Sequence, residues 1–166
     1  MIVLGIDPGT IATGYGMIRA DGNRLRMLDA GVLRSPAGRP LAHRLRTLCD
    51  DLDALLRETR PDGVALEGLF AARNIRSALT LAHLRGAFLL TLARWDLDVA
   101  EYSPPEVKKA VTGHGATAKE QVRMMVKQLL GASGASLALD ASDALAVAIC
   151  HAHTAAGLLN RRRVTG

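Results

Sequence analysis

Nowhere in this 166-residue chain does an apolar run approach the roughly 18 to 20 residues that a membrane-spanning helix needs, so no such helix is expected. The apolar start, Met1 to Ile6, stops at Asp7. It is shorter than a secretory core segment and has no basic lead-in, so no signal peptide is expected and the protein is read as cytoplasmic. Cysteine is nearly absent. Cys49 and Cys150 cannot build a disulfide framework and offer no zinc-ligand spacing, which leaves two buried thiols in a reducing compartment as the expectation. Internal repeats and low-complexity linkers are missing as well. One compact domain over residues 1–159 is expected, followed by a flexible basic tail over 160–166 that contains Arg161-Arg162-Arg163. Lysine is scarce, four residues against seventeen Arg, and Lys108, Lys109, Lys119 and Lys127 all fall in one stretch. Compact ammonium groups gathered in this way suit phosphate contacts.

What is present is an apolar core and an excess of positive charge. Hydrophobic residues make up 49%, and the net charge of +5 with a pI near 9.8 permits nucleic-acid binding without proving it. Residues 1–7 read as a buried strand that ends at a Pro8-Gly9 turn. Residues 13–20 and 24–34 read as two more strands, joined through Asp21-Gly22-Asn23 into an antiparallel meander. Pro40 opens a helix whose Leu41, Leu45, Leu48, Leu52 and Leu55 form one apolar stripe, broken at Pro61-Asp62-Gly63. Val64 to Glu67 is a short strand, and the helical crossover predicts that it pairs parallel with an earlier one. Residues 74–94 read as a long helix with large apolar side chains nearly all round. Such a helix is buried on every side, and a homodimer interface is expected to cover what one small domain cannot, with Leu81 and Leu84 as the positions that test it. Leu97 to Tyr102 is a further strand. Pro104-Pro105 starts a short helix, Thr117-Ala118-Lys119-Glu120 reads as a capping box opening the next, and a last helix covers roughly 140–159. The fold class is α/β, a mixed sheet flanked by helices.

Four acids carry the chemistry. Asp7 and Glu67 end two strands that are expected to be parallel neighbours, which puts both at one sheet edge, where open α/β sheets place their sites. Asp140 and Asp143 are three apart and share one helix face. Each has a plainer reading: Asp7 as a turn residue, Glu67 as a solvated strand end, and Asp140 as a helix cap with Asp143 completing a capping box. Brought together, four carboxylates repel and resist ionisation, and divalent cations relieve that. All-oxygen ligation favours Mg2+ or Mn2+ over zinc. Lys119, Arg123 and Lys127 recur at helical spacing, and Val122, Met125, Val126 and Leu129 occupy another face, so a basic stripe runs beside an apolar one. The same pattern describes an ordinary solvated face. His151 and His153, two apart, are read as structural or surface groups.

Ile6-Asp7-Pro8-Gly9-Thr10 followed by Gly14-Tyr15-Gly16 resembles the opening motif of RuvC-type resolvases. Glu67 with Phe70 and Asn74, Val107-Lys108, Gly113-x-Gly115-x-x-Ala118-Lys119-x-Gln121-Val122, and Asp140-Ala141-Ser142-Asp143-Ala144-Leu145-Ala146 resemble the family's later motifs, in order and across nearly the whole chain. Gly68-Leu69 after the second acid is less typical. The resemblance implies an RNase H-like sheet with helices on both faces, a homodimer, and a nuclease that resolves Holliday junctions by paired nicks in recombination and repair. It implies two Mg2+ (or Mn2+) ions held by Asp7, Glu67, Asp140 and Asp143, and association with the RuvA–RuvB branch-migration complex. Lys108 and Lys119 match lysines the family uses near the scissile phosphate. Phe70, Arg73 and Asn74, together with Lys108, Lys119, Arg123 and Lys127, are the expected DNA contacts. Phe70, one of few aromatics, reads either as ordinary core or as a group that stacks on an opened base, and the resemblance favours the second. An actin-like kinase shares the first motif, but it needs a second domain and a second glycine-rich phosphate loop, and neither is seen here. A non-catalytic junction-binding protein would not need the complete acidic set.

Overall fold

The computed structural model of the chain describes residues 1–68 and 75–164, with side chains as far as Ala156. Its elements are β1 (Ile2–Asp7), β2 (Ala12–Asp21), β3 (Arg24–Arg34), α1 (Leu41–Thr59), β4 (Gly63–Glu67), α2 (Ile75–Ala93), β5 (Val99–Tyr102), α3 (Pro104–Thr112), α4 (Lys119–Leu129) and α5 (Leu139–Val164). The sheet runs in the order β3-β2-β1-β4-β5. β1, β2 and β3 form the expected meander, and β4 pairs parallel with both β1 and β5. Each parallel step is bridged by a helix, as a crossover must be. The carboxyl ends of β1, β4 and β5 therefore share one edge of the sheet.

Helices cover both faces. Leu4, Ile6, Met17, Val64 and Leu66 point to one side and pack on Leu48, Leu52 and Leu56 of α1 and on Leu84, Phe88 and Leu92 of α2. Val3, Ile18 and Ala65 point to the other side and pack beneath α5, which is in turn covered by Val107 and Val111 of α3 and by Val122 and Val126 of α4. The period-two alternation of strand side chains thus sorts the sequence into two cores. α5 lies between the sheet and the α3–α4 layer, so its Ala144 to Cys150 are buried without a gap.

Several local expectations change. α2 is not buried on every side: Leu84, Phe88 and Leu92 are in the core, while Ile75, Leu79, Leu89 and Leu90 remain exposed. Leu84 is fully buried, so it belongs to the domain's own core and not to an interface. Thr117 does not cap α4. Ala118 occupies the cap position, and the Thr117 hydroxyl donates to the His114 carbonyl at 2.8 Å. The capping box lies one helix earlier, where the Ser103 N–H donates to Glu106 Oε2 at 2.8 Å and opens α3. The final helix does not stop near 159 but runs on to Val164, taking in most of the expected tail; the sequence past Gly157 has no proline to end it. Cys150 is buried but Cys49 only half so.

Candidate active site

β1 delivers Asp7 to the sheet edge and the following turn holds it there. Thr13 Oγ1 donates to the Gly9 carbonyl at 2.8 Å. The Thr10 carbonyl accepts from Ser35 Oγ at 2.7 Å and from both Nε and Nη2 of Arg44, at 3.0 and 2.8 Å. The turn after the acid is thus tied to the end of β3 and to α1. β4 delivers Glu67 beside it, one step past the Ile6–Leu66 pair. By strand alternation Asp7 follows Val3 and Gly5, and Glu67 follows Ala65, so both carboxylates face the α5 side of the sheet.

Three glycines bring the other two acids to that place. Gly5 pairs with Gly16, and Gly14 with Asp7, across β1 and β2. A Cβ on Gly5 would run into the backbone of Ala144 and Ala148, on Gly16 into Leu145, and on Gly14 into the Asp140 carbonyl. The α5 backbone rests directly on this bare strip, and its first turn therefore reaches the edge where Asp7 sits. Asp140 is not the cap of α5. It is the second helical residue, and the Ser142 N–H already bonds the Ala138 carbonyl at 3.0 Å, so the capping-box reading of Asp140 and Asp143 fails.

Asp7, Glu67 and Asp143 line one cleft of about 330 Å³ with Lys108, Lys119 and a wall of Pro104, Val107, Val122 and Ala146. Burial, then the charge and hydrogen bond of Glu67, then Asp143 and Asp140, hold the Asp7 carboxyl far above the carboxylate range, at about 8. Glu67 is also pushed up, by burial first and by Asp143, while its hydrogen bond with Asp7 and the charges of Lys119 and Lys108 pull it down. Lys119 Nζ lies 3.7 Å from Asp143 Oδ2. Among the described residues no three His, Cys, Asp or Glu side chains converge tightly enough to grip an ion in this arrangement. The donor chemistry nonetheless fits a hard cation: carboxylate oxygens only, gathered against their mutual repulsion.

The burial of Asp7, together with that repulsion, has a measurable consequence. Asp7 keeps its proton in the folded state over a range, roughly pH 4 to 8, in which the unfolded chain has lost it. The metal-free protein should therefore lose stability as pH rises through this window, by at most about 1.4 kcal/mol per pH unit. His151, whose pKa burial lowers, opposes this trend below its ordinary 6.5. The difference between wild type and Asp7→Asn isolates the carboxylate. Melting curves in EDTA from pH 5 to 8 should show a steeper fall for wild type, and Mg2+ should flatten it. Parallel curves would overturn the assignment.

Of the basic stripe, Lys119 alone lines the cleft. Arg123 stands one turn further on, half-buried, with a buried Nε that has no hydrogen-bond partner among the described residues. Lys127 is a turn beyond it. Lys108 reaches the cleft from α3. Phe70, Arg73 and Asn74 lie outside the described residues. His151 Nδ1 meets the Tyr102 hydroxyl at 3.0 Å and His153 Nδ1 the Ala110 carbonyl at 3.1 Å, in keeping with structural roles. The apolar wall of the cleft was not anticipated from sequence, nor was Arg85, a nearly buried cation in α2 whose signal is a charge set among Leu84, Phe88 and other apolar residues, well inside the helix.

A family model described as crossover junction endodeoxyribonuclease RuvC matches residues 3–151. The chain belongs to the RuvC family. The RuvC of Heliobacterium modesticaldum is 49% identical over 154 residues, covering 93% of this chain and 95% of its own. That of Bordetella avium is 50% identical over 154 residues, covering 93% and 84%. Among solved structures, Thermus thermophilus RuvC in complex with a Holliday junction substrate superposes with a TM-score of 0.89 at 34% identity, over 95% of this chain and 96% of that one. The yeast mitochondrial Holliday junction resolvase shares the fold, with a TM-score of 0.72 at 16% identity over 98% and 82%. The RNase H-like fold expected from the motifs is thus the fold observed, and the RuvC family is one of metal-dependent nucleases.

Proposed function

We propose that this protein resolves Holliday junctions by two symmetric nicks, each made by hydrolysis of a phosphodiester at the cleft built on Asp7, Glu67, Asp140 and Asp143. The observation that carries the reading is the joining, in one cleft, of acids from β1, β4 and α5 with Lys108 and Lys119. Two Mg2+ or Mn2+ ions held by the four acids would supply a water acidic enough to attack and charge to balance the leaving 3′ oxygen. The chain's own groups do the rest. Lys108 and Lys119 bind the scissile phosphate and offset the charge that builds on it. The apolar wall of Val107, Val122 and Ala146 limits the water that can compete at the site. Arg123 and Lys127 extend the basic track along α4. Phe70, Arg73 and Asn74 contact the DNA, with Phe70 the candidate for stacking on an opened base at the crossover. The test is a synthetic four-way junction labelled on each strand: paired, ligatable nicks that require a divalent cation support the proposal, and binding without cleavage sinks it.

The same reading includes a homodimer, which lets one particle cut two strands of like polarity. Its support is the exposed apolar row of α2, Ile75, Leu79, Leu89 and Leu90, on the side of the helix away from Leu84 and Phe88. Leu79→Asp with Leu90→Asp should give a folded monomer in sedimentation, with single nicks replacing paired ones. Leu84→Asp should instead unfold the chain. A double variant that still sediments as a dimer would place the interface elsewhere. Work in the cytoplasm alongside the RuvA–RuvB branch-migration complex completes the proposed setting. No described helix is long and apolar enough to cross a membrane.

A further inference from the structure

The peptide that follows the second acid is held at both ends. The Glu67 carbonyl accepts a hydrogen bond from the guanidinium of Arg85, and the Gly68 N–H donates to the Tyr102 carbonyl at 2.7 Å. The ladder with β1 has ended one residue earlier, at Ile6–Leu66, so this peptide has lost its neighbour on that side. The second arm of Arg85 pairs with Glu101 Oε2 at 2.8 Å. Arg85 is only 6% exposed, and Leu84 beside it is fully buried. A guanidinium taken this far from water is costly unless its donors are matched, and a planar fork can serve a carbonyl and a carboxylate at once where an ammonium cannot.

Arg85 sits on α2, on the face of the sheet opposite α5, and is not among the residues lining the acidic cleft. It acts on Glu67 only through the main chain. Fixing the Glu67–Gly68 peptide fixes the Cα of Glu67 and so the direction in which its carboxylate leaves the strand. We propose that Arg85 is a positioning residue for Glu67, with Glu101 as its counter-ion, so that α2 sets the cation affinity of a cleft it does not touch. This inference rests on the functional reading above, in which Glu67 is a metal ligand.

Arg85→Met keeps the apolar stem and removes the fork, Arg85→Lys keeps the charge, and Glu101→Ala removes the counter-ion from a half-exposed site. Mn2+ binding followed by titration calorimetry, nicking against Mg2+, junction gel shift in Ca2+ and melting temperature are read for each. Arg85→Met should bind Mn2+ roughly 10- to 100-fold more weakly, the usual cost of losing a group that orients a ligand, with kcat falling in step. Junction KM should hold, and Arg85→Lys should recover part of the loss. A merely structural Arg85 would lower the melting temperature while leaving the Mn2+ affinity of the folded fraction unchanged, and that result overturns the proposal. If Arg85→Met does not fold, Glu101→Ala decides: weaker Mn2+ binding at a near-normal melting temperature supports it, unchanged binding overturns it. Failure of the wild type to nick junctions would count against the functional reading, while the calorimetry would still report on Arg85.

Discussion

Asp7→Asn should abolish strand cleavage while the junction stays bound. The amide keeps the shape of the carboxylate, so β1, its turn and the α5 contact are undisturbed. What it removes is the charge at the point where Glu67, Asp143 and Asp140 all act on one group. Cleavage in Mg2+ should fall by roughly three orders of magnitude or more, about 4 kcal/mol of transition-state stabilisation. Binding by gel shift in Ca2+ should change little, because the phosphate contacts assigned to Lys108 and Lys119 remain. Lys119→Ala makes the useful contrast, since it should weaken binding as well as cleavage and do so on every junction sequence, phosphates being blind to base identity. Removal of a buried like charge also predicts that Asp7→Asn is no less stable than wild type in EDTA at pH 8. A variant that cuts at the wild-type rate would remove Asp7 from the metal site.

Gly14→Ala should damage the site from below. A single methyl group there would land on the Asp140 carbonyl and 3.1 Å from the Asp140 Cβ. α5 cannot simply lift at that point, because Gly5 and Gly16 hold its next turns against β1 and β2. The first turn of the helix must shift, and Asp140 and Asp143 move relative to Asp7. Overpacking of this kind costs about 1–3 kcal/mol of stability. The loss of cleavage should be far greater in proportion, since misplacement by about 1 Å can cost on the order of 100-fold in rate. Leu52→Ala is the control. It opens a cavity in the other core and should destabilise by about 2–5 kcal/mol, yet leave cleavage per folded molecule near wild type. Equal specific activity in Gly14→Ala and wild type would refute the idea that the glycine strip places the acids.

The meander, the crossover and the shared edge of Asp7 and Glu67 were legible because strand alternation and turn chemistry are local signals. The proximity of Asp140 and Asp143 to that edge was not. Helical spacing shows that the two share a face, but where the helix lies depends on a contact between residues far apart in sequence. A trace of it was present in the small residues on both sides, Gly5, Gly14 and Gly16 against Ala144 and Ala148. The all-round apolarity of α2 misled in the opposite way. It could not tell Leu84, which the domain buries itself, from Leu79 and Leu90, which it leaves bare. Thr117 failed as a cap because its hydroxyl is drawn to His114 and Thr112. A preference for the start of a helix is weak beside a nearer acceptor.

The bare glycine strip also bears on when the molecule becomes dangerous to DNA. Asp7 and Asp140 are far apart in the sequence, and they can meet only where β1 and β2 are paired and α5 lies on their glycine strip. Contacts of such long sequence separation are entropically costly to close, and folds that depend on them form slowly. An emerging or half-collapsed chain carries its acids on separate pieces. It does not yet hold the cleft proposed to cut DNA, and the topology itself withholds the blade until the handle is complete.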